Sequence, residues 1–200
     1  NLLKFDEKKL IDSVRGALAL RGRIEEIVDA VCQEGYRNIL LLGIGGTYAS
    51  CLQTAVHMKE KTGIEVLVEN AAEYLATGNK RVGEGTVAII SSVTGSTSEM
   101  LEGVAKAQNA GAKVLGFIDV ETAELARMAD WEIAYPGNEQ LKFFMAADRF
   151  MFNAGEFEEY EVMYDEFDKY LPEALAEAEK QADDFGLCFA REHMNDPIHY

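Results

Sequence analysis

The sequence has few cysteines, few prolines and no long apolar run. Its 200 residues include three cysteines and three prolines. Cys32, Cys51 and Cys188 form no close pair, which argues against a disulfide framework or a zinc motif and is typical of free thiols in a reducing compartment. No apolar run approaches the roughly 20 residues that a membrane-spanning helix needs. We therefore expect a cytoplasmic protein that uses neither a metal ion nor a cofactor.

Positive charge is also scarce. The chain has 19 Lys and Arg against 35 Asp and Glu, a formal charge of −16. This balance argues against nucleic acid and anionic membrane as main partners, because both are bound through clustered positive charge. The charge is unevenly distributed, with 15 acidic and 13 basic residues in 1–120 against 20 and 6 in 121–200. The first 120 residues are thus nearly neutral and could hold an anionic ligand.

Apolar residues make up 48% of the chain, enough for a sizeable core. Short apolar runs alternate with segments of helical periodicity, which predicts a parallel sheet with helices on both faces. We expect a three-layer α/β/α sandwich around a five-stranded sheet in flavodoxin-like order. The predicted strands are 38–43, 64–68, 86–90, 113–118 and 131–135. The predicted units are N-terminal helices in 1–35, the α/β domain in 36–155 and a C-terminal helical segment in 156–200.

The segment after the last strand has an unusual pattern. Residues 141–152 are apolar nearly all round a predicted helix, which indicates burial on more than one side. We interpret this helix as packing against a partner subunit or a second domain. Residues 157–171 then predict an amphipathic helix with an acidic outer face. Their aromatic residues are interpreted as packing residues.

Two loops rich in glycine and hydroxyl residues follow predicted strands. The first spans residues 43–50 and the second spans residues 91–99. In open parallel sheets, ligands bind beyond the carboxyl ends of the strands where the strand order reverses. Glycines allow close approach of the backbone, and each loop opens a helix whose first N–H groups attract anions. Together with the hydroxyl groups, these donors can hold a phosphate without Lys or Arg.

Two other interpretations compete with an anion site. Ser96 and Glu99 fit a capping box, which would give them a purely structural role. The run from Gly43 also begins a dinucleotide-binding fingerprint, and Glu69 lies where a ribose-binding acid would be. However, Tyr48 occupies the position of its third glycine, and the second loop stays unexplained. Two such loops on adjacent strands favour the anion site.

These residues resemble a known family. The first loop reads Gly-Ile-Gly-Gly-Thr-Tyr in 43–48, the second reads Ser-Ser-Val-Thr-Gly-Ser-Thr-Ser-Glu in 91–99, and both, with the five-strand pattern, resemble the SIS (sugar isomerase) domain. The resemblance covers roughly residues 36–153. It implies binding of a sugar 6-phosphate by Gly45, Gly46, Thr47, Ser92, the backbone of Val93, Thr94 and Thr97.

The resemblance also implies an activity. SIS domains occur in pairs in the isomerase half of glucosamine-6-phosphate synthase and in fructosamine-6-phosphate deglycases. We expect a deglycase or isomerase, as a homodimer or paired with a second SIS domain, that cleaves fructosamine 6-phosphates to glucose 6-phosphate and an amine. Ser96, where the synthases have Glu, and residues 138–144, where they have Ser-Thr-Lys, depart from the synthase pattern. A synthase-type isomerase and a non-catalytic sugar-phosphate sensor remain alternatives.

The catalytic residues are not identified by this resemblance. It places the Glu and His of the deglycases in a second domain beyond Tyr200, so we expect the chain to be the inactive first half of a longer protein. Residues 198–200 would begin the next strand. Within the chain, Glu139 is the best carboxylate for substrate contact. We expect structural or solvent-exposed roles for His57, Glu73, His193 and His199.

Overall fold

The fold is a three-layer α/β/α sandwich, as the sequence predicts. A computed structural model describes residues 5–197. The sheet is parallel throughout, and its strand order β2-β1-β3-β4-β5 is the flavodoxin-like order. In chain order the elements are α1 (Glu7–Leu18), α2 (Arg21–Glu34), β1 (Asn38–Gly43), α3 (Gly46–Lys59), β2 (Val66–Asn70), α4 (Ala71–Thr77), β3 (Thr86–Ser92), α5 (Ser98–Asn109), β4 (Lys113–Ile118), α6 (Glu124–Met128), β5 (Trp131–Ala134), α7 (Glu139–Asn153) and α8 (Tyr160–His193).

Each face of the sheet has its own apolar core. Successive side chains of a strand point to opposite faces, so Ile39 and Leu41 of β1 join the core beneath α2, α3, α7 and α8. Leu40 and Leu42 join the core beneath α4, α5 and α6. All four side chains are fully buried. Burial on both faces explains why the first strand reads as one continuous apolar run.

Helix α7 is buried by its own chain. It packs between α2 and α3. Phe143, Met145, Phe150 and Met151 belong to the core on that face of the sheet. The interpretation that this apolar helix needs a partner subunit or a second domain to cover it was therefore wrong. The helices that precede it in the chain supply the covering surface.

Helix α8 runs well beyond the predicted end at residue 171. Pro172 lies inside the helix even though it has no N–H group to donate. Helix α1 packs along α8, and ion pairs of Arg15 with Glu173 and of Lys180 with Glu7 join the two helices. The acidic outer face is present as predicted. From residue 177 to residue 193, no part of the helix is buried.

Four strand boundaries differ from the prediction: both ends of β2, the end of β3, and the end of β5, which stops at Ala134. Strand β2 begins two residues later, because Gly63 donates its backbone N–H to Glu156 and Ile64 donates to Thr62 in a turn. Strand β3 continues to Ser92, which pairs with Ile118 of β4. The predicted strand at 198–200 lies outside the described residues. Within 5–197, no helix is long and apolar enough to cross a membrane, and no cluster of side chains is arranged to hold a metal ion.

Candidate functional site

The two predicted loops lie side by side at the reversal of strand order. Strands β1 and β3 are hydrogen-bonded neighbours. Strand β2 lies on the other side of β1, and strand β4 lies on the other side of β3, so the strand order reverses between β1 and β3. Helix α3 begins directly after β1, and α5 begins shortly after β3. Their N-cap residues, Gly45 and Thr97, make no side-chain capping bond within the described part of the chain. The N-cap side chains therefore leave the first N–H groups of both helices to an anion, except the N–H of Glu99, which interacts with its own carboxylate.

The first loop is shaped by glycine and by Thr47. Gly45 has a φ of 58°, which favours glycine. A Cβ atom on Gly43 would lie 2.7 Å from the backbone nitrogen of Tyr48, so only glycine lets α3 start this close to the strand. Thr47 Oγ1 donates to Ile44 O at 2.9 Å and accepts from Ile44 N at 3.0 Å. Its only hydroxyl proton is used inside the loop, which leaves its backbone N–H for a ligand.

The second loop is held by Ser92. Ser92 is 5% exposed, and its Oγ accepts the backbone N–H of Gly95 at 2.9 Å. The serine hydroxyl keeps its proton for an acceptor beyond the loop. Gly95 has a φ of 62°, and a Cβ atom there would overlap with the side chain of Ala123. Val93 and Thr94 lie exposed at the tip of the loop, where their backbone can approach a ligand.

The predicted capping box at the start of α5 is not formed. The N-cap residue is Thr97 instead of Ser96, and Ser98 donates its hydroxyl to Glu99 at 2.9 Å. The backbone N–H of Glu99 and this hydroxyl hold the pKa of the Glu99 carboxyl below its usual value. Ser96 is exposed. Ser96 and Glu99 therefore do not form the reciprocal pair that a capping box requires.

A third part of this sheet edge is built by α7. Glu139 is half-buried in the first turn of this helix. Burial, with a smaller contribution from the nearby Glu139 carboxylate, raises the pKa of the Cys51 thiol to about 12. Glu139 thus lies beside α3, the helix that follows the first loop. Three residues on, Lys142 is fully buried and bonds to Asp119 at the end of β4. Sequence reasoning missed this pair, although a lysine within an apolar helix was a visible signal.

The other candidate residues within 5–197 make no hydrogen bond to either loop. His57 Nε2 is 2.6 Å from Asp148 Oδ1, and its ring packs on Phe144. Glu73 is exposed on α4. His193 is an exposed residue near the end of α8 and pairs with Asp196 at 2.7 Å. His199 lies outside the described residues. The structure therefore brings the two loops together, sets Glu139 beside the helix that follows the first loop, and gives His57 a packing role.

Comparison with known proteins identifies the family. The SIS domain model matches residues 35–148, more than half of the chain. The chain belongs to the SIS domain family. This SIS domain is 26% identical over 126 residues to a glutamine–fructose-6-phosphate aminotransferase (isomerizing) of Sulfurisphaera tokodaii. The matched segment is 63% of the chain but 20% of that relative.

Solved structures share the fold. A proposed phosphosugar isomerase from Bacillus subtilis is 19% identical with a TM-score of 0.73, covering 84% of this SIS domain chain and 55% of that chain. The C-terminal domain of glucosamine–fructose-6-phosphate aminotransferase from Francisella tularensis is 14% identical with a TM-score of 0.67, covering 94% and 60%. This chain thus spans less than two thirds of the length of these proteins.

Proposed function

We propose that this SIS domain binds a sugar 6-phosphate with its phosphate between the two loops. The observation that carries the proposal is the pair of helices, α3 and α5, that start at the carboxyl edge of adjacent strands and whose N-cap residues make no side-chain capping bond. A phosphate placed there meets converging N–H groups and the positive ends of two helix dipoles. Gly46, Thr47 and Val93 would supply backbone donors. Ser92, Thr94 and Thr97 would add hydroxyl groups.

The local field supports an anionic ligand despite the net charge of the chain. Neither loop contains Lys or Arg, and the only carboxylate in them, Glu99, is satisfied by Ser98 and its own backbone. The excess of acidic residues lies in 121–200, and many of these residues are on the outer face of α8. Exposed charges more than about 10 Å away are largely screened at physiological salt. Oriented dipoles therefore dominate at the loops.

The chemistry that we propose for the complete protein is proton transfer on an open-chain sugar phosphate. A carboxylate moves a proton next to the carbonyl or imine carbon, and a histidine protonates the departing group. Glu139, in the first turn of α7 and beside α3, would contact the sugar. We place the catalytic base and acid in a second SIS domain, paired with this one. The first candidate activity is hydrolysis, in which a fructosamine 6-phosphate and water give glucose 6-phosphate and an amine.

A second candidate activity is the isomerase reaction of a hexosamine-phosphate synthase. Similarity to the aminotransferase of Sulfurisphaera tokodaii favours it. The full-length protein separates the two candidates. Release of amine from a fructosamine 6-phosphate supports the deglycase, and its absence, with conversion of fructose 6-phosphate in the presence of an ammonia donor, supports the synthase-type isomerase.

Binding can be tested on the chain itself by calorimetry. Fructose 6-phosphate and glucose 6-phosphate should bind, and fructose should not, since the phosphate supplies the interaction. Replacing Ser92 and Thr97 together by alanine should abolish binding. Thr77→Ala is the matched control, because Thr77 bonds to Glu73 O on α4, away from the loops. Unchanged affinity in the double variant would contradict the proposed site.

A further inference from the structure

Lys142 is the one buried cation among residues 5–197. It lies on α7 next to Phe143 and close to Met145, both core residues. Its Nζ donates to Tyr135 O at 2.6 Å and to Asp119 Oδ1 at 3.4 Å. Burying an ammonium group is costly unless it is paired, and a pair of this kind rarely adds stability over an apolar side chain of the same size. Packing alone therefore does not explain a lysine here.

Asp119 joins Lys142 to the second loop. Its backbone N–H donates to Ser92 O at 3.0 Å, and Ser92 Oγ in turn accepts the N–H of Gly95. The other carboxylate oxygen of Asp119 accepts the N–H of Gly137 at 3.1 Å. One carboxylate thus touches the segment that leads into α7, while its own backbone supports the loop after β3. The ammonium group of Lys142 contacts this carboxylate through Oδ1.

The segment that leads into α7 is held on its other side by α1. Tyr135 donates its hydroxyl to Ser13 O at 2.7 Å, and Asn138 Nδ2 donates to Ser13 Oγ at 2.7 Å. Asn138 has a φ of 51°, the only non-glycine residue with a positive φ in the described part of the chain. Such a conformation persists where surrounding contacts fix it. Glu139 follows directly, so its direction depends on this anchored segment.

We propose that Lys142 is a positioning residue of the sugar phosphate site: through Asp119 and Tyr135 it holds the loop after β3 and the first turn of α7 in one fixed arrangement. The inference rests on the proposed function and extends it. Lys142 does not touch the ligand. It keeps Ser92 and Glu139 in fixed positions relative to each other, so that one sugar phosphate can contact both.

The charge of Lys142 makes the proposal sensitive to pH. The groups that face it are the Asp119 carboxylate, the Tyr135 carbonyl and, in the first turn of its own helix, Glu139. Burial lowers the pKa of Lys142, and the attraction of Asp119 and Glu139 only partly opposes this. Raising the pH above neutral therefore removes the proton from Lys142 earlier than from an exposed lysine. Ligand affinity should fall as that proton is lost.

The test compares Lys142→Met with the wild-type chain, using calorimetry with fructose 6-phosphate from pH 7 to pH 10. Methionine keeps the volume and removes the charge. We expect the variant to stay folded by circular dichroism and to bind about three- to thirtyfold more weakly at pH 7. Wild-type affinity should decline towards pH 10, and the variant should show a flatter profile. Lys80→Met, at an exposed position, is the matched control and should keep the wild-type profile.

The outcomes separate the two proposals. If the wild-type chain binds and Lys142→Met binds equally well with the same pH profile, Lys142 is not a positioning residue and the proposed function stands. If the wild-type chain binds no sugar phosphate, the proposed function fails. Should Lys142→Met not fold, Lys142→Met combined with Asp119→Asn replaces it, since no unpaired charge is then buried. The double variant should show the same weakened and flatter binding profile, and wild-type binding by it would equally overturn the inference.

Discussion

Gly16 of α1 lies directly against the hydroxyl group of Tyr135, so closely that a Cβ atom on Gly16 would overlap with it. This contact lets Tyr135 reach Ser13 O and anchor the segment before α7. In the sequence, Gly16 reads only as an interruption of helical periodicity. In the structure, Gly16 is the residue of α1 against which the side chain of Tyr135, just after β5, packs.

Replacing Gly16 by alanine should therefore destabilise the protein. Alanine favours a helix by about 1 kcal/mol over glycine, but overpacking costs about 1 to 3 kcal/mol, so a net loss is expected. Gly22→Ala on α2 is the control, since a Cβ atom there meets nothing within 4 Å among the described residues. It should be neutral or stabilising. Urea unfolding measures both, and equal effects would contradict the contact.

Replacing Gly43 by alanine should weaken ligand binding. The new methyl group would push against the backbone of Thr47 and Tyr48 and displace the first turn of α3. Because that turn supplies the proposed backbone donors, we expect at least a tenfold loss of affinity for fructose 6-phosphate by calorimetry. Gly103→Ala on α5, where a Cβ atom makes ordinary contacts, is the control. Wild-type affinity in Gly43→Ala would show that the turn does not contact the ligand.

Removing the hydroxyl of Tyr164 should destabilise the core on the α8 side. Tyr164 is fully buried and donates to Asp148 Oδ2 at 2.7 Å, while His57 occupies the other carboxylate oxygen. Tyr164→Phe leaves a buried carboxylate oxygen without its partner, at a cost of about 1 to 3 kcal/mol. Tyr170→Phe, at an exposed position on the same helix, should change little. The measurement is the free energy of unfolding in urea, and equal values for the two variants would rule out this role.

The contact of Asp29 with Arg149 should make stability depend on acidic pH. Hydrogen bonds from Arg149, assisted by Asn153, hold the pKa of the Asp29 carboxyl below its usual value. Its contribution is complete above the pKa of the unfolded chain, about 3.9, and is lost as the pH falls through the lower folded value. The stability difference between wild type and Asp29→Asn should therefore shrink below about pH 4.

Urea unfolding from pH 7 to pH 2.5 measures this difference. Asp12→Asn, on the exposed face of α1, serves as the matched control. A difference between wild type and Asp29→Asn that stays constant with pH would contradict the prediction.

Much of the fold could be predicted because its signals are local. A strand buried on both faces must be apolar throughout, and the predicted bounds of β1 and β4 agree with the structure. The start of β2 and the end of α8 differ from the prediction because they depend on distant residues. Glu156 accepts the N–H of Gly63 in the turn before β2, and α1 contacts α8 beyond Pro172 through the ion pair of Glu7 with Lys180. Such contacts leave no local pattern. Periodicity therefore gives the order of the elements better than their ends.

The candidate site was predictable to a similar extent. The loops are visible in the sequence as glycine and hydroxyl residues at strand ends. The sequence does not show that the Thr47 hydroxyl bonds within its own loop. Asp119 and Lys142 are 23 positions apart and belong to different elements. Their partnership follows from strand order and helix direction together. Only the folded arrangement reveals it.

The projecting part of α8 has a practical consequence for spectroscopy. Cys188 is exposed there, whereas Cys51 is buried and Cys32 is half-buried. Burial also raises the pKa of both inner thiols, which slows their reaction with alkylating reagents. A maleimide dye should therefore attach selectively at Cys188, about 18 Å along the helix from Ala176, the last buried residue. The native sequence thus provides a single reporter position for following what approaches the far end of this helix.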